Sequence, residues 1–365
     1  MNTLSPTVVS SPARRPNRVI EWARANLLSS WASTAITLLG AYLIVNVVIG
    51  FVSWGLLNAH WTPSEARQCL DDKGVGACWS FVAEKYRFIL FGTYPFDQQW
   101  RPLLAVGALI ALYGISTWRR LWNWRLAVIW VAGLGLFFLL MWGGVLGLSY
   151  VEQERWGGLP LTLILSTLGI VFAFPLSILL ALGRRSHMPA IKAVCIGFIE
   201  AIRGVPLVSL LFMASVMFPL FLPAGVNVDK LLRAQVAIIL FAAAYMAEVV
   251  RAGLQAIPKG QYEAGDALGL SYWQKTLMII LPQALRLVIP PMVNVAIALL
   301  KDTSLVVIIG LFDLATATKI ALQEPQWRAF GIEAYLTLAA LYFVFCFAMS
   351  RYSQYIERDL SRSRR

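Results

Sequence analysis

The sequence predicts an all-α protein, a polytopic transmembrane helical bundle of about eight spans. Three observations carry this. Hydrophobic residues make up 59% of the 365-residue chain and charged residues only 14%, whereas soluble domains are roughly 45–50% apolar and about 25% charged. Apolar stretches of about 20 residues recur, the length that crosses a bilayer as a helix. The charges fall in short segments between those stretches and sort by side.

Taken in order, residues 1–30 are polar and basic and form a cytoplasmic lead, with Trp22 to Ser30 suited to an interfacial helix. No cleavable signal segment is read there, so the first span must itself direct insertion. Spans are expected near 33–57, 102–118, 125–149, 159–182, 206–223, 234–253, 287–310 and 331–350. The shorter ones carry Trp, Tyr or Arg at their edges, and Trp54, Trp61, Trp100, Trp118, Trp122 and Trp142 fit interfacial anchors. The spans group as an N-terminal extension, 31–150, with three spans and a periplasmic loop over 58–101, and a five-span core over 151–365.

The formal net charge is +12. Read with both ends in the cytoplasm, the inside segments are strongly positive: Arg14, Arg15, Arg18, Arg24, Arg119, Arg120, Arg125, Arg184, Arg185, Lys192 and the tail arginines from Arg351 to Arg365. The outside segments set Glu65, Asp71, Asp72, Asp97, Glu152 and Glu154 against Arg67, Lys73, Lys85 and Arg87, and come out near neutral. This is the positive-inside asymmetry. Nucleic acid is not the partner implied, because no basic and aromatic residues interleave on a soluble module.

Cys69 and Cys78 both fall in the outside loop and suit either a periplasmic disulfide or two free thiols. Cys195 and Cys346 lie in or beside apolar spans as packing residues. The two histidines, His60 and His187, are far apart and lack metal-ligand spacing, so no metal site is expected.

The inside segment 254–282 is longer than a turn between spans requires. Pro258 and Gly260 break the preceding span. A short helix is expected to start near Gln261, placing Glu263 and Asp266 in its first turns, where carboxylates favour the helix dipole. Gly269 is placed to end it in a left-handed conformation, and Ser271 to cap the next helix. The segment thus reads as helix, turn, helix along the cytoplasmic face, with Ala264, Ala267, Leu268 and Leu270 forming a small knob. Periodicity alone leaves two readings open, a knob for a soluble partner or a plain surface helix.

This segment resembles the EAA loop of binding-protein-dependent ABC importers. That pattern runs Glu-Ala-Ala, three residues, Gly, about nine residues, then Ile-x-Leu-Pro. Glu263-Ala264-Gly265 stands at its start, Gly269 at the glycine, and Ile279 to Pro282 at its end. Gly265 replaces the second alanine, which lowers local helix propensity by roughly 1 kcal/mol. From Gly158 onward the chain is similar to the polar amino-acid permease branch. The matching pieces are Gly158-Leu159-Pro160-Leu161-Thr162-Leu163, Glu200 to Leu207, Ala244 to Gly253, and Leu300-Lys301-Asp302-Thr303-Ser304-Leu305. The added N-terminal spans and Gly76-Ala77-Cys78-Trp79 resemble the M subunits of general L-amino-acid permeases.

The resemblance implies a permease that docks on ABC ATPase subunits through Gln261, Glu263, Ala264, Asp266, Ala267, Gly269 and Leu270. It implies a second permease subunit, a homologous chain or a copy of this one, with the three added N-terminal spans pointing to a heterodimer, and a periplasmic binding protein that delivers L-amino acids. No Gly-x-x-x-x-Gly-Lys-Ser/Thr loop occurs, so no cofactor is expected on this chain, and ATP and Mg²⁺ belong to the partner ATPases.

Charges at bilayer depth are costly and mark functional positions. Lys301, Asp302, Thr303 and Ser304 either bind the ammonium and carboxylate of a zwitterion or form a structural pair between spans. Pro290 and Pro291, with Asn294, are expected to interrupt the same span, either lining a cavity or kinking a packed helix. That span is the expected translocation path. Glu248 and Arg251 lie three apart on one helix face as a structural or gating pair. Glu200, Arg203 and Gly204 before Pro206 read as a hinge at the membrane surface. A stand-alone ion-coupled transporter is the alternative, but it needs inverted repeats that the sequence does not display. An intramembrane enzyme needs a denser polar constellation.

Overall fold

The computed structural model describes residues 18–62, 64, 66–71, 74–223 and 225–362. Arg14, Arg15, Glu65, Asp72, Lys73 and Arg365 lie outside them, as does the side chain of Arg67. The chain forms two compact units, residues 1–80 and 81–365.

In the first unit, α1 (Arg18–Asn26) precedes α2 (Trp31–Leu57). Ser30 caps α2 by accepting from the Ser33 amide at 3.2 Å. α2 buries none of Trp31–Val52, as befits a span whose surroundings are lipid. Past α3 (Ala66–Asp71) the chain folds back on the end of α2. The Ala77 amide donates to Trp54 at 2.8 Å, and the Trp79 indole donates to the Gly55 carbonyl at 2.8 Å. Gly76 is required there, since a Cβ would stand 1.7 Å from the Asn58 carbonyl oxygen. Cys69 and Cys78 are joined by a disulfide, Cα–Cα 5.7 Å.

The second unit contains α4 (Ser80–Phe91), α5 (Trp100–Ser116), α6 (Trp124–Trp142), α7 (Gly158–Arg184), α8 (Pro189–Arg203), α9 (Leu207–Phe221) and α10 (Lys230–Gln255). It continues with α11 (Lys259–Ala267), α12 (Tyr272–Ile309), the two-residue β1 (Phe312–Asp313), α13 (Leu314–Ala321) and α14 (Gly331–Arg362). Lys85 pairs with Glu324 at 2.7 Å and Phe81 packs on Trp327, which fixes α4 against the loop before α14.

The core lies where α7, α10 and α12 meet, around Leu161, Leu165, Ile238, Ala242, Met246 and Leu299. Small residues let these helices approach. A Cβ on Gly169 would meet Ile238 at 2.9 Å, and one on Gly253 would meet Val288 at 2.4 Å. β1 runs parallel to Gly157 and Gly158 at the start of α7.

Arg101, 1% exposed, has no carboxylate partner among the described residues. It donates instead to the Leu140 carbonyl at 2.7 Å, the Ser149 carbonyl at 2.9 Å and the Gln98 side chain at 2.7 Å. The cation thereby satisfies the carbonyl end of α6 and complements its dipole. Burial pushes the nearby Tyr94 phenol up to about 12, with the charge of Arg101 acting in the opposite direction.

Among the described residues, six helices are long and apolar enough to cross a membrane. The bent pair α8–α9 makes a seventh if it crosses as one span, and the shorter apolar α5 stands where the second of the eight expected spans falls. Several boundaries differ from expectation. The third span ends at Trp142, not 149, because Gly143 (φ 67°) leaves the helical region. The fifth crossing is α8 and α9 bent by 103°, so the helix before Arg203 was missed. Pro206 excludes its predecessor from helical geometry and starts α9 anew.

The sixth connection changes most. The second surface helix is absent as a separate element, and α12 runs from Tyr272 without a turn. A π-helical segment, Thr276–Ile280, precedes Pro282. Pro290 and Pro291 lie inside the helix and do not interrupt it. Packed neighbours hold such helices continuous where a proline removes a donor. The last helix reaches Arg362, well past 350, its polar end continuing beyond the apolar stretch.

Candidate functional site

The short helix α11 follows Pro258, whose φ of −57° is preset for helix entry. The helix therefore starts at Lys259, earlier than expected. Its first turn holds no acid, and Asp266 falls in the last turn, where the dipole disfavours it. Lys275 offsets this by pairing with Asp266. Gly265 is buried and allows that pairing, since a Cβ there would meet the Lys275 stem at 2.7 Å. The small residue in place of alanine thus makes room for a cation.

Gly269 takes the left-handed conformation (φ 69°) and ends the turn. Ser271 forms a capping box with Gln274 at the start of α12. Gln261, Glu263, Ala264, Asp266, Ala267 and Gly269 are exposed, and Leu270 is half-buried. The most prominent apolar group is Leu268, 73% exposed, with Tyr272 and Trp273 also exposed. The two aromatics were not singled out from sequence, where they read as the start of a second helix.

Three polar ties hold this helix. The Tyr262 hydroxyl donates to the Leu254 carbonyl at 3.0 Å and accepts from Arg185 at 3.2 Å. The Gln283 amide donates to Gln261 at 3.0 Å. With Lys275–Asp266, these contacts reach the ends of α7, α10 and α12.

At the same end of the bundle, Arg251 lies 2.8 Å from Glu248, Glu248 lies 2.6 Å from Arg184, and Arg184 lies 2.9 Å from Glu200. This chain of charges joins α10, α7 and α8. Glu200 and Glu248 were separate features in sequence, and Arg184 counted only toward charge asymmetry. No spacing rule connects them, because the helices that bring them together are far apart in the chain. Arg203 does not join the chain. It lies over the Tyr245 ring at 5.5 Å. Gly204 and Pro206 form the α8–α9 bend.

On α12, Leu287, Pro291, Asn294, Ala298 and Lys301 are all exposed. Their spacing of four, three, four and three places them on one helix face. Asn294 and Lys301 are thus brought to the same side. Asp302 and Ser304 are half-buried, and Thr303 is buried with its hydroxyl donating to Leu300 at 2.7 Å. The Lys301-Asp302-Thr303-Ser304 run does not present one surface.

Asp313 escaped sequence analysis altogether. It is fully buried, accepts from the Ala315 and Thr316 amides at 3.1 and 3.0 Å, and accepts from the Thr316 and Tyr342 hydroxyls. Burial pushes its carboxyl up, against these hydrogen bonds. It caps α13, which an Asp just before an apolar helix signals only weakly.

Comparison with known proteins adds the following. Residues 173–362 match the family described as binding-protein-dependent transport system inner membrane component. The chain is 46% identical over 369 residues to the inner membrane amino-acid ABC transporter permease protein YhdY of Escherichia coli K12, covering 99% of each. It is 37% identical to the glutamate/glutamine/aspartate/asparagine transport system permease protein BztC of Rhodobacter capsulatus, covering 95% of this chain and 94% of the other. A crystal structure of an amino acid ABC transporter with histidines overlays 54% of this chain and 90% of that one, at 33% identity and a TM-score of 0.48.

Proposed function

The chain belongs to the family of binding-protein-dependent transport system inner membrane components, and from that membership we propose that it is the permease subunit of an ATP-driven importer of L-amino acids. It is a multi-pass protein of the inner membrane, and its relatives are named amino-acid ABC transporter permeases. In this reading both termini lie in the cytoplasm. Its partners are ABC ATPase subunits, a second and different permease chain, and a periplasmic binding protein. ATP and Mg²⁺ act on the ATPases.

One observation carries the coupling role. A short helix stands outside the spans with Leu268 projecting and Glu263 unpaired among the described residues. Its inner side is tied to three spans by Tyr262, Asp266 and Gln261. A groove on a soluble ATPase can take the projecting side. Movement of that partner then reaches α7, α10 and α12 together, since helices transmit displacement as rigid bodies.

α12 carries the translocation face. Asn294 and Lys301 at membrane depth are too costly to leave against acyl chains, so the face they share turns toward a wet path or the partner permease. The charge chain Arg251–Glu248–Arg184–Glu200 sits where α7, α8 and α10 end, and its opening and closing gates the inside mouth. Nothing in this arrangement favours ion-coupled transport by the chain alone.

The test is reconstitution with the ATPase, both permeases and the binding protein. Uptake should require ATP, and Glu263→Lys or Gly269→Val should lower co-purification of the ATPase or uncouple it. Full-rate uptake by this chain in vesicles free of ATPase would instead establish the ion-coupled alternative.

A further inference from the structure

A groove of about 630 Å³ opens between α7, α12 and α14, where Trp122 from the α5–α6 connection reaches its rim. Its lining is apolar except for one charge, Arg286. Arg286 is exposed and makes no ion pair or hydrogen bond among the described residues. Glu357 adjoins Ile356 on the wall but does not pair with it.

The lining is ordered along the groove. Arg286, Trp122 and Ile356 lie toward the end from which α11 projects. Met292 and Val293 follow Arg286 by six and seven residues, about 10 Å along the axis at ~1.5 Å per residue. Phe174 faces them from α7. One end is thus cationic with an interfacial Trp, and the other is wholly apolar. The Trp122 indole donates to the Ser116 carbonyl at 2.9 Å, which orients the ring. Arg120 and Arg125, both exposed, flank it in sequence.

We infer that this groove is a binding site for one anionic phospholipid. Its phosphate takes Arg286, and an acyl chain lies along Met292, Val293 and Phe174. Charge complementarity and position together select this occupant. A groove in a membrane-embedded wall is filled by lipid unless protein covers it, and an unpaired guanidinium at its mouth selects a negative headgroup over a zwitterionic one. Basic sites between spans at the headgroup level bind lipids on this principle. The inference is independent of the transport reading.

The test uses the full chain in its complex, reconstituted in phosphatidylethanolamine vesicles carrying either brominated phosphatidylglycerol or brominated phosphatidylcholine. Bromine quenches only nearby indoles, and the Trp122 signal is the wild-type emission less that of Trp122→Phe. Brominated phosphatidylglycerol should quench Trp122 at about one-fifth the mole fraction that brominated phosphatidylcholine needs, the discrimination one cation supplies. Arg286→Gln should abolish that preference while leaving quenching itself, and Arg286→Lys should keep it. Equal quenching by both lipids overturns the inference, as does a preference that survives Arg286→Gln. Absence of quenching would mean that protein fills the groove, and overturns it too.

Discussion

The Tyr262 hydroxyl donates to the carbonyl oxygen of Leu254 at 3.0 Å, so α11 hangs from the last turn of α10. The Tyr262 hydroxyl in turn accepts from Arg185, just past the end of α7, at 3.2 Å. A nine-residue helix is too short to be stable alone, and its orientation rests on such ties. Tyr262→Phe keeps the ring and removes both hydrogen bonds. The ATP consumed per amino acid imported should rise roughly three- to tenfold, the span of one or two hydrogen bonds. ATPase co-purification should stay near wild type. An unchanged ratio would show that the hydroxyl has no part in coupling.

Arg184 bridges two acids on two other helices. Its link to Glu248 is the more protected, the Glu248 side chain being 15% exposed. The Glu248 oxygen facing Arg184 has no aligned hydrogen bond, so the contact is one of charge. A double-mutant cycle on Arg184→Gln and Glu248→Gln, read by thermal unfolding in detergent, should give a coupling of about 1 kcal/mol. Arg184 with Glu200, more exposed, should give less. A coupling near zero for both would leave these charges no role as a latch.

Arg101 should tolerate little change. The single nitrogen of lysine cannot stand at both the Nε position that serves Leu140 and the Nη1 position that serves Ser149 and Gln98, and methionine leaves those acceptors unpaired inside the protein. Arg101→Met should cost about 2–4 kcal/mol and Arg101→Lys somewhat less, seen as a lowered unfolding temperature. Gly143→Ala should mimic this, since its Cβ would lie 2.3 Å from the Arg101 guanidinium at a φ of 67°. Wild-type stability in all three would show that the buried cation does not hold the α5–α6 pair.

Asp313 ties pH to stability. Its folded pKa is raised above the ordinary 3.8 by burial. Its contribution is therefore complete below that value and is lost as pH rises through the folded pKa. The unfolding temperature should fall over the pH range just above 4. Asp313→Asn, which keeps an acceptor for the Thr316 amide, should flatten that fall. Superimposable pH profiles would assign the dependence to another group.

Much of this architecture was legible beforehand. The apolar stretches marked the crossings, because burial in lipid is a local property of some twenty residues. Pro258, Gly269 and Ser271 marked the short helix and its turn, because caps and breakers also act locally. The start of α12 was misread for the opposite reason. Pro282, Pro290 and Pro291 argue for breaks, yet a π segment and packing against α10 and α14 carry the helix through them.

By itself, then, the sequence determined that the chain is a bundle of membrane-spanning helices and where a small helix leaves it, since hydropathy and capping are written in neighbouring residues. Tertiary structure alone decided that Arg184 meets Glu248, that Arg101 caps α6, that Asp313 is buried, and that Lys301 shares a face with Asn294 while Thr303 turns inward. Those pairings depend on which helix ends the fold brings within a few ångströms, and the partners' separation along the chain carries no trace of it.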